Sequence, residues 1–202
     1  MRGISPGLRD RPSAETVLVI GVHREELAFG DQVVRGLDPS LADVLRIPRG
    51  LSGRNPRQDQ RFYYETLHRE LYHQLAVQIR GRYRLLLDLH CGLDESPPCA
   101  DLISREPALL ACVERRAAAR FGETGGSGYL RSVLLEEAPE ARCLDTATPA
   151  RTVIPRGVWS DPTFEYVGIE VYLASPGVGQ PRDRELALWL IRSVIECRAL
   201  KN

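Results

Sequence analysis

Residues 16–22 read TVLVIGV, an apolar and β-branched run with no polar break. Such a run is a strand covered on both faces, because a half-exposed strand would alternate polar and apolar positions. A second run, Leu85–Leu89 in RLLLDLHCG, and a third, Tyr166–Leu173, read the same way, and Val44–Ile47 is a short further strand. Between them lie segments with helical periodicity: about Glu25 to Arg35, residues 60–80, Pro107–Phe121 and Arg182–Leu200. In the second of these, Leu67, Leu71, Leu75 and Ile79 recur at i, i+4, the stripe of an amphipathic helix. Fully covered strands alternating with helices predict an α/β fold of three layers, with a mixed, largely parallel central sheet flanked by helices.

The 202 residues suit one domain, residues 1–202, with 1–14 a flexible N-terminus. Basic and acidic residues balance at 27 each, which argues against a general nucleic-acid or anionic-membrane footprint. Lys201 is the only lysine, so the cationic chemistry belongs almost wholly to arginine. No apolar run approaches the roughly 20 residues that cross a bilayer. The opening MRGISPGLRDRPSAE lacks the apolar middle of a signal peptide, and a cytoplasmic location is expected. Cys91, Cys99, Cys112, Cys143 and Cys197 form no C-x-x-C pair and are expected as free thiols in a reducing compartment.

Sheets of this kind gather ligands at the carboxyl ends of their strands. His23 follows the first apolar run directly, and Glu26 lies three residues on, where an imidazole nitrogen and a carboxylate oxygen can reach one ion from the same side. His90 closes the second run, with Asp88 two residues earlier on the same strand face. Asp88 is placed to hydrogen-bond a ligand histidine and hold its tautomer. An isolated His-x-x-Glu occurs by chance in many chains; its union with a second strand-ending histidine gives it weight. Two histidines and one carboxylate with a position left for water form a catalytic zinc set, one ion per chain. Glu170 interrupts the third apolar run, where an unpaired carboxylate is costly to bury. It is paired with an arginine, faces solvent from an edge strand, or lines a polar cavity where it can act as a general base.

In this order, GVHREE, DLH and GIEV resemble the zinc carboxypeptidase superfamily, nearest to its succinylglutamate desuccinylase and aspartoacylase branch. The resemblance implies His23, Glu26 and His90 as zinc ligands and Glu170 as general base. It implies a zinc-dependent hydrolase of an amide bond in an N-acyl amino acid or small peptide bearing a carboxylate. An N-formylglutamate amidohydrolase-like enzyme, or a silent metal-binding protein that kept the fold, are the alternatives. The Asp-Leu-Asn-Arg stretch of those relatives is absent, and GRNPRQDQR fills its interval. Arg54, Asn55, Arg57 and Arg61 are the substrate-binding candidates there, since an arginine fork suits a carboxylate. The chain ends soon after the Glu170 run, so the C-terminal domain of aspartoacylases is not expected.

Three further features are read as lying outside the metal set. GETGGSG lacks the ending of a phosphate loop and is a loop near the site, followed by Tyr129, a candidate contact for substrate or oxyanion. His68 and His73, at i, i+5 on one helix, are read as surface or packing residues rather than ligands. No residue argues for a particular oligomeric state.

Overall fold

The computed structural model describes residues 12–52, 60–93, 99–122, 130–136, 147–150 and 152–200. Its strands are β1 (Thr16–Ile20), β2 (Asp43–Arg46), β3 (Leu85–Leu93), β4 (Cys99–Ser104), β5 (Leu130–Leu135), β6 (Ala147–Ala150) and β7 (Glu165–Leu173). The helices are α1 (Leu27–Arg35), α2 (Arg61–Ile79), α3 (Pro107–Phe121), α4 (Arg156–Trp159) and α5 (Pro181–Ala199). The strands join in one sheet of order β2-β1-β3-β7-β4-β5-β6. Every neighbouring pair is parallel except β7 with β4. The mixed, largely parallel sheet anticipated from the apolar runs is therefore present.

Alternation along the central strands sends side chains into two apolar layers. Leu18 and Ile20 of β1 meet Phe29 and Val33 of α1 and the buried faces of α3 and α5. Val17 and Val19 point the other way, toward Leu75, Ala76 and Ile79 of α2 and Val158 and Trp159 of α4. All five residues of β1 are buried, which explains its unbroken apolar sequence.

Strands β4, β5 and β6 were not anticipated, because CADLIS and LRSVLL mix polar with apolar residues and lack a sustained period. The free-thiol expectation is also corrected in part. Cys112 of α3 and Cys197 of α5 form a disulfide, with Cα atoms 6.0 Å apart, across 85 residues of sequence. Adjacent packing of two helices that are remote in sequence brings these cysteines together. Cys91 is free. No described helix is long and apolar enough to cross a membrane.

Two glycines let the end of β1 sit against the chain that follows β2. Gly21 has φ +79°, in the left-handed region, and a Cβ there would lie 2.8 Å from the Ile47 carbonyl oxygen. A Cβ on Gly50 would strike the Gly21 carbonyl oxygen and lie 2.5 Å from that of Val22. The close approach allows Leu51 N–H to bond Val22 O at 2.8 Å and Arg24 N–H to bond Leu51 O at 2.8 Å. His23 is held between these two bonds in a bridge with Leu51. Because the obstructing atoms are backbone, Gly50→Ala is expected to destabilise the fold by about 1–3 kcal/mol, read as a lower urea midpoint at unchanged m.

Candidate metal centre

Strands β1, β3 and β7 run parallel, so their carboxyl ends share one edge of the sheet. Beyond β1 the chain turns back on itself: Glu26 N–H donates to the His23 carbonyl at 3.1 Å, and Glu26 occupies the N-cap position of α1 without a side-chain capping bond, leaving its carboxylate for the histidines. The helix thus starts at Leu27, two residues later than the periodicity suggested, and Glu26 just before it joins the site. The turn brings His23 Nδ1 to 2.7 Å from Glu26 Oε1. From β3, His90 Nδ1 reaches the other carboxylate oxygen, Oε2, at 2.9 Å. Donor atoms of His23, Glu26 and His90 all lie within 4.8 Å of one another and are the metal-compatible set among the described residues.

The tautomers of both imidazoles follow from their outer nitrogens. His90 Nε2 lies 3.0 Å from Asp88 Oδ2, and a carboxylate only accepts, so Nε2 carries the hydrogen. Asp88 is 1% exposed, and its Oδ2 also accepts from Tyr72 at 2.7 Å and Tyr166 at 3.0 Å. The expected role of Asp88 thus has its geometry, with two tyrosines that the sequence reading had not singled out. His23 Nε2 meets His68 Nε2 at 3.0 Å, while His68 Nδ1 is 2.7 Å from the Tyr64 carbonyl oxygen. A carbonyl also only accepts, so His68 carries its hydrogen on Nδ1, and His23 donates from Nε2. Both inner nitrogens, His23 Nδ1 and His90 Nδ1, then turn lone pairs toward the carboxylate of Glu26. Lone pairs facing an anion at 2.7 and 2.9 Å are repulsive unless a cation lies between them. This donor chemistry fits a zinc ion, and in its absence a proton.

The electrostatics point the same way. Burial opposes charge on His90, but Asp88 and Glu26 outweigh it and hold the imidazole well above its ordinary value of 6.5. Burial pushes Glu26 up, yet the bonds from His23 and His90 bring it below the ordinary carboxylate range. Burial lowers His68 and favours its neutral form. In chelator-treated protein the raised His90 therefore contributes stability that is complete below about pH 6.5. That contribution is lost as pH rises through the raised value. A metal at Nδ1 must displace this proton, so apparent zinc affinity is expected to rise up to about tenfold per pH unit over the same window. Competition with a chromogenic chelator between about pH 6 and pH 8 measures the slope, and a flat profile contradicts it.

Glu170 of β7 stands in register with His90 and on the same sheet face. The strand is internal, between β3 and β4, so the edge-strand alternative for this carboxylate is corrected. Burial raises its pKa; the His90 charge lowers it in part, and Glu26 and Asp101 raise it further. Asp101 of β4 is its opposite partner across the antiparallel pair. There Asp101 accepts from Tyr172 at 2.8 Å and from Arg131 Nε at 2.7 Å, with the Arg131 guanidinium 5.0 Å from the Tyr172 ring centre. Asp101, Arg131 and Tyr172 extend the polar row and were not singled out from sequence.

The substrate-binding candidates fare differently. Arg54, Asn55, Arg57 and Tyr129, with all of GETGGSG after Gly122, lie outside the described residues. Arg61 is exposed at the start of α2 and pairs with Glu65 at 3.1 Å. The α2 stripe is also revised. Leu67 is 54% exposed, and the buried face of the first turns carries His68 and Tyr72 instead. Of the two readings of His68, surface or packing, the surface one is corrected: the residue is buried, packs on Tyr64 and is also a hydrogen-bond partner of His23. His73 is exposed. A histidine and a tyrosine four apart on a helix, preceding a DLH strand, are the signal that could have found this face.

No family model matches the sequence, and no curated protein matches it. Among solved structures the chain is similar to murine aminoacylase 3, with 16% identity over 96% of this chain and 67% of that one, and a TM-score of 0.50. It is also similar to the succinylglutamate desuccinylase of Chromobacterium violaceum, with 15% identity, 92% and 62% coverage, and a TM-score of 0.45. A bacteriophage poly-gamma-glutamate hydrolase gives 13%, 96%, 86% and 0.46 for the same quantities. At such identities the likeness to aminoacylase 3 is one of fold. The α/β fold with a mixed, largely parallel sheet expected from the sequence is the fold of this chain, and it is shared with aminoacylase 3.

Proposed function

We propose that the protein is a zinc-dependent hydrolase of the amide bond in an N-acyl amino acid or small peptide. The observation that carries this is the convergence of His23 Nδ1 and His90 Nδ1 on the Glu26 carboxylate, with Glu170 one strand away in register. A zinc ion held by His23, Glu26 and His90 would supply Lewis acidity, lowering the pKa of a water and polarising the scissile carbonyl. Glu170 takes a proton from the attacking water at its carboxylate. Burial has raised its basicity above that of an exposed carboxylate, which suits that transfer. The same carboxyl group then returns the proton to the departing nitrogen. Asp88, with Tyr72 and Tyr166, holds His90 in the orientation the site requires.

The shared fold with aminoacylase 3 supports an acylated amino acid as the substrate class. Its carboxylate calls for a guanidinium. Arg54 and Arg57 remain proposals for that role together with Asn55, Arg61 and Tyr129. Arg131, two strands from Glu170 in the same polar row and paired with Asp101, is a further candidate. The test is direct. Protein stripped by a chelator and reloaded with zinc is incubated with N-acetyl, N-formyl and N-succinyl amino acids and with dipeptides. Amine release that disappears on stripping and returns with zinc supports the reading. Zinc uptake without turnover of any of these overturns the enzyme assignment and leaves a metal-binding protein.

A further inference from the structure

The two ligand histidines are oriented by different chemistry. His90 leans on a buried carboxylate, whereas His23 leans on the neutral side chain of another histidine. We propose that His68 is a positioning residue which accepts the Nε2 hydrogen of His23 and so keeps the His23 Nδ1 lone pair directed at the cation position. The role rests on the zinc reading above.

Four observations carry it. His68 is 2% exposed, so its polar atoms must find partners within the protein. One nitrogen lies 2.7 Å from the Tyr64 carbonyl of its own helix, which determines which nitrogen remains to accept. That remaining nitrogen is 3.0 Å from His23 Nε2. The ring also packs on Tyr64, centre to centre 4.0 Å, and the helix beyond it is anchored in the core by Tyr72, Leu75 and Ile79. Chain, ring and helix therefore allow His68 little freedom to present its other nitrogen. His68 cannot share the ion, because it meets His23 at the nitrogen remote from Glu26. A neutral acceptor also suits the charge of the site. Glu26, Asp88 and Glu170 already bring three carboxylates around the cation position, and a fourth behind His23 would blunt the pull of zinc on a carbonyl.

The experiment measures zinc affinity by chelator competition in wild type, His68→Leu and His68→Gln. It adds the nitrogen-15 spectrum of the zinc-loaded wild type, in which only 4 histidines need assignment. Removing the acceptor in His68→Leu is expected to weaken zinc binding about 10- to 100-fold. The Gln side-chain oxygen can replace the lost acceptor, so His68→Gln is expected to bind within about threefold of wild type. The spectrum should show His68 protonated at Nδ1 and His23 at Nε2. Leu and wild type binding alike, Gln as weak as Leu, or His68 protonated at Nε2 overturns the inference. The spectrum decides the matter even if the Leu variant fails to fold. A wild type that takes up no zinc overturns the metal reading instead, so the two failures are distinct.

Discussion

Glu170→Gln is expected to reduce kcat on the best substrate of the acyl-amino-acid panel by about 100- to 10,000-fold, the range for loss of a general acid–base group. Glutamine keeps the shape of the side chain and cannot take up a proton. Glu170 is absent from the metal-compatible set, so zinc content should stay at that of wild type. Stability should hold or rise. Burial raises the Glu170 pKa, so its ionised form is disfavoured in the folded protein, and the neutral amide removes that cost. Steady-state rates, elemental analysis and a melting curve on the same preparation separate these effects. A variant that keeps its rate removes Glu170 from the chemistry, and one that loses zinc makes it a ligand.

His90→Ala is expected to cost both the metal and much of the stability. Zinc content should fall from about one ion per chain to background, because a set reduced to His23 and Glu26 cannot hold the ion tightly. The larger penalty falls on Asp88. Its carboxylate is buried, one oxygen has no hydrogen-bond partner among the described residues, and the imidazole is the counter-charge beside the other. Stranding a buried charge costs about 3–5 kcal/mol, which should appear as a lower denaturant midpoint in chelator-treated protein. Adding Asp88→Asn to His90→Ala should recover part of that loss, since the amide removes the unpaired charge. A single variant as stable as wild type would show that Asp88 does not depend on His90.

Three of the candidate site residues legible in the sequence share one property: each interrupts or directly follows the apolar run of a covered strand. His23, His90 and Glu170 are conspicuous because their neighbours leave no other reason for them, and Glu26 and Asp88 follow by short spacing. His68 and Tyr72 lacked that contrast. The helix carrying them offers a leucine stripe of which Leu75 and Ile79 do reach the core, whereas its earlier turns bury His68 and Tyr72 beside the polar site. Helical periodicity says which side chains share a face and leaves open what the face covers.

Local patterning therefore determined the covered strands, most helices and which polar side chains stand at the strand ends. Side-chain direction over a few residues depends only on backbone geometry. Sheet order was decided at longer range. Strand β7 lies between β3 and β4, antiparallel to the latter, so His90 meets Glu170 across 80 residues and Cys112 meets Cys197 across 85. The tautomers of His23 and His90 were likewise decided by groups that packing alone brings within reach. Such pairings depend on how whole faces fit one another, and no short window of sequence contains both partners.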